Sequence, residues 1–176
     1  MIEVRRAVPG DAEELLRLRQ VMLAVVGGHD PESGPWQGQV VEFLRERLPD
    51  PRGSVAVYVV DAPGEAGKLA SCAVGLVQER LGSPWNSGGL VGLMLNVATD
   101  PRYRHQGYAR ACVSALLDWF ERSGVGSVEL TATDDGLPLY RSLGFVPSRW
   151  TAMRLRWPTA PGRGRGRRTG MGLPGR

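Results

Sequence analysis

The residues with the clearest chemical potential are Arg104-His105-Gln106-Gly107-Tyr108-Ala109. Here an apolar strand passes through Thr99-Asp100-Pro101-Arg102-Tyr103 into the clearest helix of the chain. A glycine at such a crossing lets a ligand approach the backbone closely. The first turn of a helix offers free N–H groups and about half a positive charge from the macrodipole, which suits a pyrophosphate. Arg102, Arg104 and Arg110 would add positive charge at the mouth. On physics alone, an anion site and an ordinary helix start with exposed arginines both fit. Two familiar phosphate loops are excluded. Gly67-Lys68 has Ala62 and Leu69 where a Gly-x-x-x-x-Gly-Lys-Ser/Thr loop needs glycine and a hydroxyl. The Gly162–Gly166 run has neither a strand before it nor a helix after it. His29 and His105 are the only histidines, and Cys72 and Cys112 the only cysteines, so no zinc spacing exists.

Elements able to position that crossing follow from periodicity. Ile2 to Ala7 alternates as a short strand. Asp11, with Glu14 three residues on, predicts a capped helix over about 11–25 whose face is Leu15, Leu18, Met22 and Val25. A second helix is expected over 37–48, closed by Pro49-Asp50-Pro51. Residues 54–60 and 69–78 read as an antiparallel hairpin, and 90–97 as a central strand buried on both faces. Over 105–123, Ala109, Cys112, Val113, Leu116, Leu117 and Phe120 form one helical stripe, and Gly124 ends it. A strand over 128–133, a short helix over 137–143 and a final strand over 151–157 complete the pattern. The expected fold is α/β: three layers, α/β/α, around a mixed sheet.

The chain has 176 residues, 42% hydrophobic and 23% charged, which suits one soluble globular domain. No apolar run reaches the ~18–20 residues of a membrane span, and the first residues lack a signal-peptide pattern. The two isolated cysteines suit a reducing cytoplasm. The net charge of +4 is misplaced as a clue to nucleic acid. Arg163, Arg165, Arg167, Arg168 and Arg176 lie in an Arg/Gly-rich segment over 158–176 that holds no acid; residues 1–157 carry 17 bases against 18 acids. The division is therefore a domain over 1–157 and a solvated tail over 158–176, too poor in apolar groups to fold. Nucleic acid is not expected as a partner except through that tail.

Arg104-His105-Gln106-Gly107-Tyr108-Ala109 resembles the Arg/Gln-x-x-Gly-x-Gly/Ala signature of the GNAT-type N-acetyltransferase superfamily, preceded by a similar Asp-Pro-x-Tyr-Arg lead-in. Leu139-Tyr140-Arg141-Ser142-Leu143-Gly144-Phe145 resembles that family's Leu-Tyr-x-x-x-Gly-Phe segment, in the right order and about 30 residues downstream. The resemblance implies a mostly antiparallel sheet splayed between its fourth and fifth strands, with acetyl-CoA as co-substrate in the gap. It implies that the backbone near Asn96, Val97 and Thr99 holds the pantetheine arm. The N–H groups of His105, Gln106, Gly107, Tyr108, Ala109 and Arg110 would hold the pyrophosphate, beside Arg104. It implies that Tyr140 protonates the departing thiolate as general acid. Thr133 and Gly136 stand where many relatives carry Asn and Ala, so Thr133 would replace the Asn contact. The strand 90–94 lacks the glutamate some relatives use as base, which leaves water or Asp134 and Asp135.

The expected function is transfer of an acetyl group to a primary amine of a small molecule or peptide. The near-neutral body favours a small molecule. The acceptor pocket is expected from the first two helices, their connection (His29, Asp30, Glu32, Trp36) and the 82–89 loop with Trp85 and Asn86. The other class that fits is an acyl-CoA-binding regulatory module without turnover. A homodimer is left open.

Overall fold

The computed structural model describes residues 2–149, 151–155 and 157. Every helix and strand among them lies in the unit Met1–Val146. The strands are β1 (Arg5–Arg6), β2 (Val55–Asp61), β3 (Leu69–Glu79), β4 (Leu90–Thr99) and β5 (Ser127–Glu129). The helices are α1 (Ala12–Gly27), α2 (Pro35–Arg47), α3 (Tyr108–Arg122) and α4 (Leu137–Ser142). Short 3-10 turns at Pro9–Asp11, Pro101–Tyr103 and Asp134–Gly136 precede α1, α3 and α4.

The sheet runs β1-β2-β3-β4-β5. The first four strands pair antiparallel and β5 joins β4 parallel, giving the expected mixed sheet. One face carries α1 and α2 over a core of Leu15, Leu18, Leu44, Val57, Val59 and Cys72. The other carries α3 through Cys112, Val113, Leu116, Trp119 and Phe120, with half-buried Leu139 and Tyr140 of α4, and Leu143 just past it, beside them. Two glycines make room for α3. A Cβ at Gly75 would lie 2.6 Å from Phe120 Cζ and 2.7 Å from Leu116 Cδ1, and one at Gly92 2.8 Å from Phe120 Cδ1.

Several expectations change. Among the described residues the final strand expected over 151–157 is not formed: 151–155 and 157 are irregular and exposed. Alternation marks a segment that suits a strand, but a hydrogen-bonded partner is what makes one. The first strand shrinks to Arg5–Arg6. The cap of α1 is not the expected box. Asp11 accepts from Val8 N at 2.8 Å and from Arg5 at 2.8 and 2.9 Å, while Glu14 accepts from Leu69 N at 3.1 Å. Asp11 closes the turn before the helix and binds Arg5 of β1, while Glu14 reaches across to β3. The segment 158–176 lies outside the described residues.

Candidate active site

β4 and β5 pair over only three positions, Val91 with Ser127, Gly92 with Val128 and Leu93 with Glu129. Beyond them β4 continues to Thr99, while Leu130–Thr133 leaves the ladder, so β5 is shorter than the expected 128–133 strand. Near the parting, β4 carries an extra residue. Val74 pairs with Asn96 and Gly75 with Met94, which leaves Leu95 unpaired and 46% exposed. The β5-side edge of β4 past Leu93 therefore has free main-chain groups along a cleft of about 750 Å³.

The α3 end of that cleft has a distinctive backbone. His105 and Gly107 both adopt left-handed backbone, with φ of 61° and 84°. Gly107 does so freely, whereas His105 is held in a conformation that side-chain-bearing residues rarely adopt. Alternating backbone of this kind turns successive N–H groups inward, as anion-binding concavities do. These two residues also explain why α3 starts at Tyr108 and not at the expected 105. No side chain caps Gly107, and the first helical bond runs from Ala111 N to Gly107 O at 3.0 Å. The N–H groups of Tyr108, Ala109 and Arg110 are left for a ligand or water.

Of the expected site residues, Asn96, Val97, Thr99, Arg104, His105, Gly107, Tyr108, Ala109, Arg110, Thr133 and Tyr140 line the cleft. Gln106 is exposed and does not. Asn96 is 4% exposed; its amide nitrogen lies 3.6 Å from Cys72 Sγ and its Oδ1 has no partner among the described residues. Arg110 donates to Ser142 Oγ and so ties the start of α3 to α4. Arg102 is not free at the mouth, because its guanidinium is bound to Asp100 and to Glu65. Tyr140 is half-buried, its ring packs edge-on against Phe145 at 5.7 Å, and burial raises its phenol above the ordinary value. A Cβ at position 136 would sit 3.1 Å from that ring, so Gly136 gives the tyrosine its place. Asp135 also lines the cleft and Asp134 does not.

The expected acceptor walls are only partly there. Val21, Met22, Val25 and Val26 of α1 line the cleft, but His29, Asp30, Glu32, Trp36 and the 82–89 loop do not. That loop precedes the paired end of β4, and the cleft opens along 94–99. Trp85 is 91% exposed there, on a turn closed by Ser83 N to Asn86 O at 2.9 Å.

Sequence reading missed what sets the crossing. Asp100 is buried and accepts from Arg17 Nη1 at 2.7 Å, Arg102 N at 3.0 Å and Arg102 Nε at 3.2 Å. The Arg102 guanidinium, then Arg102 N–H and Arg17, hold its carboxyl down at about 2. The available signal was an Asp before Pro-x, a cap for the turn that follows.

Residues 26–145 match the model of the Acetyltransferase (GNAT) family. The chain belongs to that family. The donor used across the GNAT family is acetyl-CoA. Over 73 residues the chain is 38% identical to the ribosomal protein bS18-alanine N-acetyltransferase of Escherichia coli, covering 40% of this chain. It spans about half the length of that relative, 48%. The GNAT fold is shared with solved structures at low identity. A predicted acetyltransferase from Clostridium acetobutylicum, crystallised with acetyl-CoA, superposes with a TM-score of 0.73 at 19% identity, over 88% of this chain and 96% of the other. Glucosamine-6-phosphate N-acetyltransferase from Arabidopsis thaliana gives 0.67 at 15% identity, over 88% and 98%. Among the described residues no helix is long and apolar enough to cross a membrane, and no group of His, Cys, Asp and Glu could hold a metal ion.

Proposed function

We propose that the protein transfers an acetyl group from acetyl-CoA to a primary amine of a small molecule or peptide. The parting of β4 from β5 beside an uncapped helix start carries this reading. The pyrophosphate is assigned to the N–H groups of His105 through Arg110, with Arg104 beside them. The pantetheine arm is assigned to the free edge of β4 near Asn96, Val97 and Thr99, facing Thr133. A β4 N–H near Val97 meets the developing oxyanion, where a pre-aimed donor is most effective.

In the proposed reaction the amine nitrogen attacks the thioester carbonyl, a C–N bond forms, and the C–S bond breaks. Tyr140 gives its proton to the departing thiolate. Its raised phenol, fully protonated at neutral pH, suits a donor. Two acceptors are available for the amine's surplus proton: water and Asp135, the one carboxylate among the lining residues. Attack is direct, with no acyl-cysteine intermediate. Burial pushes the Cys72 thiol up to about 11 and Cys112 up to about 12, so neither offers a thiolate near neutrality.

The relative's name makes an N-terminal alanine peptide the first peptide acceptor to try. The test is release of free thiol from acetyl-CoA across a panel of amines, amino acids and such peptides. Release that depends on an amine supports transfer. Tight acetyl-CoA binding with no release from any amine supports the regulatory module instead.

A further inference from the structure

We propose that Arg17 and Asp100, neither of which lines the cleft, are positioning residues that hold the 104–107 loop in the shape that grips the donor's phosphates. The inference rests on the donor reading above. A histidine in left-handed backbone is costly to hold, so surrounding contacts must fix His105. Those contacts converge on Asp100. Its backbone N–H donates to Ala70 O at 2.8 Å, and its carbonyl accepts from Tyr103 N at 2.9 Å. Its carboxylate takes the main chain and guanidinium of Arg102, two residues before the loop. Arg17 then locks this to α1 and β3: Nη1 to Asp100 Oδ2 at 2.7 Å, Nη2 to Leu69 O at 2.7 Å, Nε to Glu14 Oε2 at 3.0 Å. Its guanidinium is turned to Asp100, Leu69 and Glu14, and Arg17 is not among the residues that line the cleft. It acts through the shape of the loop.

A purely structural brace and a phosphate-loop brace differ in one readout. Acetyl-pantetheine carries the thioester but no nucleotide phosphates. The test compares acetyl-CoA and acetyl-pantetheine as donors for the full-length chain, Arg17→Gln, Asp100→Asn and the double variant. If the freed loop is formed one time in ten, apparent acetyl-CoA affinity falls ~tenfold. The expected result is that rise in the KM for acetyl-CoA, an unchanged KM for acetyl-pantetheine, and kcat at saturation within about twofold. The double variant should be no worse than the poorer single one, since the two act as a unit. If Asp100→Asn does not fold, Arg17→Gln carries the comparison, because Arg17 sits on a partly exposed face of α1. Equal losses with both donors, or no loss with either, overturn the brace. Failure of the unaltered chain to bind acetyl-CoA overturns the donor reading itself.

Discussion

Replacing Gly107 by Glu and, in parallel, by Gln separates charge from shape at the proposed anion site. Gly107 has φ of +84°, and a Cβ there meets only Ile2 Cδ1, at 3.4 Å. A side chain therefore fits without a clash, and the shared penalty is left-handed backbone, ~1–2 kcal/mol. That penalty is the same for both variants and cancels between them. What remains is a carboxylate beside the bound phosphates. At a separation of ~6 Å and an effective dielectric of ~20, one pair of unit charges repels by ~3 kcal/mol, about 100-fold in affinity. Salt reduces this, because the screening length at physiological ionic strength is ~8 Å. Calorimetric titration with CoA at low and at physiological ionic strength reads both effects. Gly107→Glu should bind ~100-fold more weakly than Gly107→Gln at low salt, with the gap narrowing as salt rises. Equal binding by the two variants would refute a pyrophosphate at the 104–110 turn.

Tyr140→Phe should lower kcat by about 100-fold while leaving acetyl-CoA affinity unchanged; an unchanged kcat in steady-state assays removes Tyr140 from the reaction. The carboxyl of Asp100 lies at about 2, below the ordinary 3.8, so its contribution is complete above about pH 4 and is lost as pH falls toward 2. Acid unfolding should show about 2 kcal/mol of stability leaving in that window, and a loss smaller by that amount for Asp100→Asn, in which Glu14 and Asp61 still titrate. Gly75→Ala should cost ~1–3 kcal/mol, because the new methyl meets Phe120 and Leu116 inside contact distance. A thermal melt that does not move would contradict the seating of α3.

The helices and central strands were legible because their faces are uniform. The α3 stripe from Cys112 to Phe120 and the apolar run of β4 leave little choice of period. The turn into α3 was legible through Gly107 and the lead-in, but the left-handed conformation of His105 was not, since nothing in a histidine requires it. The bulge at Leu95 had no signal either, because an extra residue in one strand is defined only against its partner. Asp11 and Glu14 looked like a local cap, yet Arg5 and Leu69, distant in sequence or in another element, claim them. Arg102 was expected at the phosphate and is held by Asp100 and Glu65 for the same reason. Local spacing announces which groups can pair; the fold decides which do. The expected final strand shows this from the other side, an alternating segment that pairs with nothing among the described residues.

Hydrogen exchange with and without saturating acetyl-CoA tests the central claim most directly. Slowed exchange is predicted in peptides covering 95–99, 104–110 and 130–140, with α2 over Pro35–Arg47 unchanged. Protection that spares 104–110, or falls mainly on α2, would contradict a donor held between β4 and β5.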